Sequence, residues 1–90
     1  MKSMEDIKDL HVEWSNIDGE GLVRVVPTDS FRSGVALVAQ LAEIAEQQNH
    51  DPEVRLTNSK VIITLLSHDV SDVTERDIAY AKAVDQLIGQ

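Results

Sequence analysis

Apolar residues along this 90-residue chain fall into two regions of period-two alternation, each followed by a stretch with helical spacing. The first ten residues carry Met4, Ile7 and Leu10 at helical spacing, enough for a short helix. "HVEWS" (11–15) then alternates around Val12 and Trp14 and reads as a modest strand. "NIDGEG" (16–21) is a turn, because Asn, Asp and two glycines supply the positive-φ positions of a tight reversal. "LVRVV" (22–26) is β-branched and reads as the returning strand, stopped by Pro27.

"TDSFRSGVALVAQLAEIAEQQ" (28–48) carries the strongest local signal. Thr28, Asp29 or Ser30 can cap a helix start, and Phe31, Val35, Val38, Ala42 and Ala45 recur every three or four residues as its expected apolar face. Gly34 inside it costs about 1 kcal/mol relative to Ala and permits close contact with a sheet. Pro52 disfavours helical geometry at Asp51, so the helix should end at about Gln48 or Asn49. "EVRLT" (53–57) alternates Val54 and Leu56 with polar residues, a half-buried strand. "NSK" is a turn, and "VIITLLS" (61–67), apolar on both faces, should be the central strand. After the loop "HDVSD", Thr74 opens a capping-box-like "TERD". The last helix should run to about Ile88, with Ile78, Ala81, Val84, Leu87 and Ile88 inward.

Hairpin, helix, hairpin, helix predicts an α+β fold over a single domain, residues 1–90: a four-stranded antiparallel sheet with the helices packed on one face. A domain of this size buries roughly two-thirds of its unfolded surface. One Trp, one Tyr and one Phe leave the core to aliphatic side chains. Association into a homodimer or homotetramer is therefore expected, with the open sheet edge as a place to add strands. Trp14 is expected in the core or an interface, Tyr80 partly buried, and Arg24 and Arg32 at the surface or in salt bridges.

Charge narrows the function. Sixteen acidic residues against eight basic ones give a net charge of −8, and the basic residues do not cluster, which argues against nucleic acid as a partner. No cysteine means no disulfide, thiolate metal site or thiol nucleophile. No segment approaches the roughly 18 apolar residues of a membrane span, and the N-terminus lacks a signal-peptide centre. A cytoplasmic protein without membrane contact is expected.

The candidate chemistry lies at one corner of the second hairpin, the end away from its turn. His50 follows the first long helix and His68 follows the fourth strand. The start of strand three and the end of strand four are neighbours in a hairpin, so His50, Asp51, Ser67, His68 and Asp69 can converge. Two imidazoles can serve as acid and base in one turnover. As a metal site, two histidines with a carboxylate at this spacing are a weak signal. A histidine at a helix C-terminus is also favourable for the dipole alone, so spacing leaves a site and a plain helix exit equally open.

The run from Glu46 to Asp77 resembles the pterin-4a-carbinolamine dehydratase family. That family carries an acidic residue, three spacers, His-His-Pro, a Thr-His on the following hairpin, and an Asp nine residues later. Glu46, His50, Pro52, Ser67-His68 and Asp77 fall at matching positions with no gap. "GLVRVV", "FRSGVALVAQLAEIAE" and "ERDIAYAKAVDQL" resemble the family's strand, long helix and closing helix, and the likeness covers roughly residues 12 to 88.

The resemblance implies loss of water from a 4a-hydroxytetrahydropterin to give a quinonoid dihydropterin, with no metal and no organic cofactor. It implies His50 and His68 as the acid–base pair, with Asp51 beside them. Pro52, Ser67, Asp69 and Val70 would line the pterin, and Asp77 and Glu46 would support the site. Three departures stand out. Asp51 replaces the family's second histidine, Val54 and Asn58 stand where aromatics are expected, and Asp72 replaces a glycine. Asp51 can still accept hydrogen bonds from a pterin's amino and ring N–H groups. These departures motivate an alternative, a non-catalytic interaction or assembly module. Relatives act as dimerisation cofactors for transcription factors or as Rubisco assembly factors.

Overall fold

The computed structural model describes residues 13–67 and 69–88. The short helix expected around Met4, Ile7 and Leu10, the strand position of Val12, and His68 lie outside the described residues. The elements are β1 (Ser15–Ile17), β2 (Gly21–Pro27), α1 (Phe31–Gln48), β3 (Glu53–Leu56), β4 (Lys60–Leu65) and α2 (Glu75–Ile88). The four strands form one antiparallel sheet in the order β1-β2-β4-β3, so the two hairpins join through β2 and β4. β4 is central, as expected from its apolar run.

One face of the sheet is covered. Leu22, Arg24 and Val26 of β2 lie opposite Leu65, Ile63 and Val61 of β4, and Val54 and Leu56 of β3 continue the same row. All six on β2 and β4 are buried, and the five apolar ones pack with Leu41, Ile44, Ala45, Ile78, Tyr80, Ala81 and Val84 of the helices. Strand alternation therefore sends one set of side chains into the core. Val23, Ile62 and Thr64 on the other face are half-buried, and Val25 is exposed.

Two local expectations are corrected. Asn16 and Ile17 belong to β1, paired with Leu22 and Gly21, and the strand begins only at Ser15, the last residue of "HVEWS", and runs on into the segment read as a turn. The reversal needs only Asp18, Gly19 and Glu20, closed by the Glu20 amide donating to the Ile17 carbonyl (2.9 Å), so the turn residues overstate the turn's length. The buried face of α1 is Gly34, Leu41, Ile44 and Ala45, whereas Phe31, Val35 and Ala42 are exposed. Gly34 has no side chain to register in an apolar pattern, yet it marks the line of contact. A Cβ there would meet Leu56 Cδ1 at 2.5 Å. Ser30 caps the helix, its hydroxyl accepting from the Ser33 amide (3.1 Å).

Three polar links tie the layers together. Arg24 and Asp85 form a buried ion pair (2.6 Å), and Trp14 Nε1 donates to the same Asp85 oxygen (2.7 Å). The Tyr80 hydroxyl, fully buried, donates to the Leu41 carbonyl (2.7 Å) and joins α2 to α1. Burial, and after it the charge of Asp51, push the Tyr80 phenol up to about 12.

Gly21 sits at φ +100°, and a Cβ on it would overlap the Leu65 carbonyl oxygen; Gly19 sits at φ +80° with open space around it. Gly21→Ala should therefore cost about 3 kcal/mol or more, from strain and overlap together. Gly19→Ala should cost only about 1–2 kcal/mol, and urea denaturation of the two variants checks the difference. Tyr80 predicts an alkaline loss of stability. The unfolded phenol ionises near 10.0 and the folded one near 12. The contribution is thus complete below pH 10 and lost as pH rises through 12, by about 2–3 kcal/mol in all. Tyr80→Phe should flatten that alkaline limb while costing about 1 kcal/mol or less at neutral pH, as read by denaturation at pH 9 and above 11.

Candidate active site

The corner under test begins where α1 ends. Asn49 caps the helix in the left-handed conformation (φ 51°, ψ 46°), and the His50 amide still reaches the Ala45 carbonyl (3.1 Å). The cap turns the chain so that the His50 side chain, 9% exposed, points at α2. There Nε2 lies 2.6 Å from Asp77 Oδ1. Glu53 of β3 pairs with Thr64 of β4, which brings the α1 exit beside the end of β4, as the hairpin argument expects.

Asp77 is completely buried. Its position follows from the "TERD" sequence. The Thr74 amide donates to Asp77 Oδ2 (2.8 Å) while the Asp77 amide donates to the Thr74 carbonyl (3.0 Å), the reach-back of a capping box. Ser67 Oγ donates to the same Oδ2 (2.9 Å) and sits 2.7 Å from Thr74 Oγ1. With Oδ2 taking the Thr74 amide and the Ser67 hydroxyl, Oδ1 is the oxygen that faces His50 Nε2. A charge in the first turn of a helix, with three partners besides, is well placed.

The other expected residues divide into two sets. Glu46, Asp51 and Pro52 line a hollow of about 330 Å³ floored by Leu41, Ala45, Val38 and Val54. Asp51 is exposed and also lines a smaller hollow of about 210 Å³ with Glu53, Thr64 and Leu66. Asp69 is paired with Arg76 at the surface (2.8 Å), and Val70 is exposed. Ser67, by contrast, is 1% exposed, with its hydroxyl committed to Asp77. His68 lies outside the described residues. Thr74 is the member of this cluster absent from the expected site residues, although its capping-box signature was visible.

Chemically, the corner offers an imidazole with one nitrogen fixed by a buried carboxylate, leaving Nδ1 as the nitrogen free to exchange a proton. Next to it in the chain, Asp51 places a second carboxylate at the rim of an apolar hollow. Among the described residues no group of three or more His, Asp or Glu side chains is arranged to hold a metal ion. No described helix is long and apolar enough to cross a membrane.

Comparison with known proteins gives this corner a context. The family model described as pterin 4 alpha carbinolamine dehydratase matches residues 2–87. A candidate pterin-4-alpha-carbinolamine dehydratase of Chloroflexus aggregans is 32% identical over 77 residues, covering 86% of this chain and 82% of that protein. One from Thermomicrobium roseum is 36% identical over 69 residues, covering 77% and 74%. Among solved structures, a transcriptional coactivator/pterin dehydratase from Brucella melitensis superposes with a TM-score of 0.82 at 30% identity, over 92% of this chain and 88% of that one. A pterin dehydratase-like protein identified as a RuBisCO assembly factor in the α-carboxysome has a TM-score of 0.72 at 24% identity, over 89% and 94%, a likeness of fold alone. A family match running from residue 2 to residue 87, carried by the same hairpin-helix frame that holds His50 against Asp77, makes this chain a member of the pterin-4a-carbinolamine dehydratase family.

Proposed function

We propose that the chain is a hydro-lyase that removes water from 4a-hydroxytetrahydropterin to give quinonoid dihydropterin. The observation that carries the reading is His50 held at 2.6 Å by a fully buried carboxylate. It stands next in sequence to Asp51, which lines the apolar hollow. In the proposed reaction the C4a–O bond breaks as the departing hydroxyl takes a proton and leaves as water. The adjacent ring nitrogen supplies the electron pair for the new double bond, and a ring N–H gives up a proton. His50 and His68 act as the acid–base pair in that exchange. Asp51, with Pro52 and Glu46 beside it, receives the pterin's amino and ring N–H donors, a task suited to a carboxylate.

A second reading, a protein-interaction module on the same fold, draws on the exposure of Phe31 (54%) and Val35 (46%) along α1. It draws also on the departures at Asp51 and Val54 and on the coactivator and assembly-factor relatives. Self-association into a dimer or tetramer belongs to either reading, with β1 and β3 as the outer strands of the described sheet. Pterin turnover separates the two.

On synthetic carbinolamine substrate, followed by absorbance, the parent protein should turn over. His50→Ala should lower kcat/KM by about 10²–10⁴-fold, the usual worth of a positioned acid or base. Asp77→Asn should lower kcat more than it raises KM. Parent-like rates in both variants would remove the catalytic reading. Asp51→His, compared with the parent on the same substrate, should change KM more than kcat if Asp51 serves binding.

A further inference from the structure

The Ser67 hydroxyl and the Thr74 amide converge on one oxygen of Asp77, the Thr74 hydroxyl lies beside them, and counting protons gives the hydroxyls an order. Ser67 Oγ donates to Asp77 Oδ2 (2.9 Å), which uses the only proton that hydroxyl has. The short Ser67–Thr74 contact (2.7 Å) must then be Thr74 donating to Ser67. Thr74 Oγ1 also lies 3.4 Å from Oδ2, too long to compete with its 2.7 Å contact. The result is a directed chain, Thr74 O–H to Ser67 O–H to Asp77 Oδ2, with Oδ1 left for His50 Nε2.

Resting on the reading of His50 as an acid–base residue, we infer that Ser67 and Thr74 are positioning residues that set the tautomer of His50, in place of the ligand-lining role the resemblance implies for Ser67. Rotating the Asp77 carboxylate would break the Ser67 and Thr74 amide bonds together. Oδ1 therefore stays aimed at the imidazole as a fixed acceptor. The tautomer protonated on Nδ1 would oppose the Nε2 lone pair to that charge across 2.6 Å. The network thus selects Nε2–H and keeps Nδ1 free for substrate, by about tenfold or more given a buried charge-assisted bond.

Ser67 is suited to this by its backbone as well. Its amide donates to the Asp72 carbonyl (3.0 Å), and its carbonyl accepts from the Val70 and Asp72 amides (3.2 and 3.3 Å). Side chain and main chain together fasten the 67–72 turn to the carboxylate that orients His50. One residue thereby couples the α1 exit to the loop after β4.

Nitrogen-15 correlation spectra of the His50 ring in the full-length protein, taken near pH 8 where a free imidazole is neutral, test this directly. The parent should show a protonated-type Nε2 and an unprotonated-type Nδ1. Ser67→Ala and Thr74→Val should draw the two resonances toward each other, and Thr74→Ser should restore the parent pattern. In the same variants kcat should fall about tenfold with KM within about twofold, since nothing that meets the pterin is removed. If Ser67→Ala does not fold, the Thr74 pair carries the test alone. An unchanged tautomer in folded Thr74→Val or Ser67→Ala overturns the inference whatever the turnover. A parent protein without turnover removes the dehydratase reading while the spectra still decide the positioning role.

Discussion

A single buried carboxylate holds the working corner of this molecule together. Asp77 has no solvent to stabilise its charge, so every lone pair it presents must find a donor in the protein. It finds them on three separate segments: the helix it belongs to, through Thr74; the end of β4, through Ser67; and the exit of α1, through His50. Removing water makes each of these bonds stronger and each failure more costly. Segments far apart in sequence are thus brought to one point by the demand of one charge.

α2 carries a second buried carboxylate, and the two ends of the helix treat them differently. Asp77 lies in the first turn, where the helix dipole favours a negative charge; Asp85 lies in the last turn, where it does not. Asp85 accordingly sits against a full cation, Arg24, with Trp14 donating to the same oxygen. Asp77 manages with a neutral amide, hydroxyls and an imidazole. The difference leaves Asp77 bonded to no permanent cation, the nearby Arg76 being turned to Asp69 at the surface. Arg24 is itself inside, on the helix-facing row of β2, with its Nε lacking a partner among the described residues. That orphan donor makes the pairing of its other nitrogens with Asp85 more consequential.

Much of this was legible in the sequence, and the failures have physical causes. Element order, the joining of two hairpins and the central place of β4 followed from alternation and turn residues. The pairing of His50 with a partner 27 residues away could not be read from spacing, because it depends on how α1 and α2 pack. Thr74 and Asp77 were visible as a capping box, but nothing local says that the box's carboxylate has a second free oxygen pointing at an imidazole. The apolar face of α1 was misread because Gly34, which lies against Leu56 and Val61 of the sheet, contributes nothing to an apolar count, while Phe31 and Val35 contribute heavily and lie outside. A salt bridge for Arg24 was expected, but its burial together with Asp85 was hidden by the ordinary expectation that charges are solvated.

The placement of Trp14 gives the protein a built-in optical probe. It is the chain's sole indole, sequestered at 7% exposure, with its N–H tied to a carboxylate on the last turn of α2. Its emission will report whether the stretch just before β1 and α2 remain docked. Asp77 lies two turns of α2 away from the indole's partner, so the indole reports on the end of the helix remote from His50.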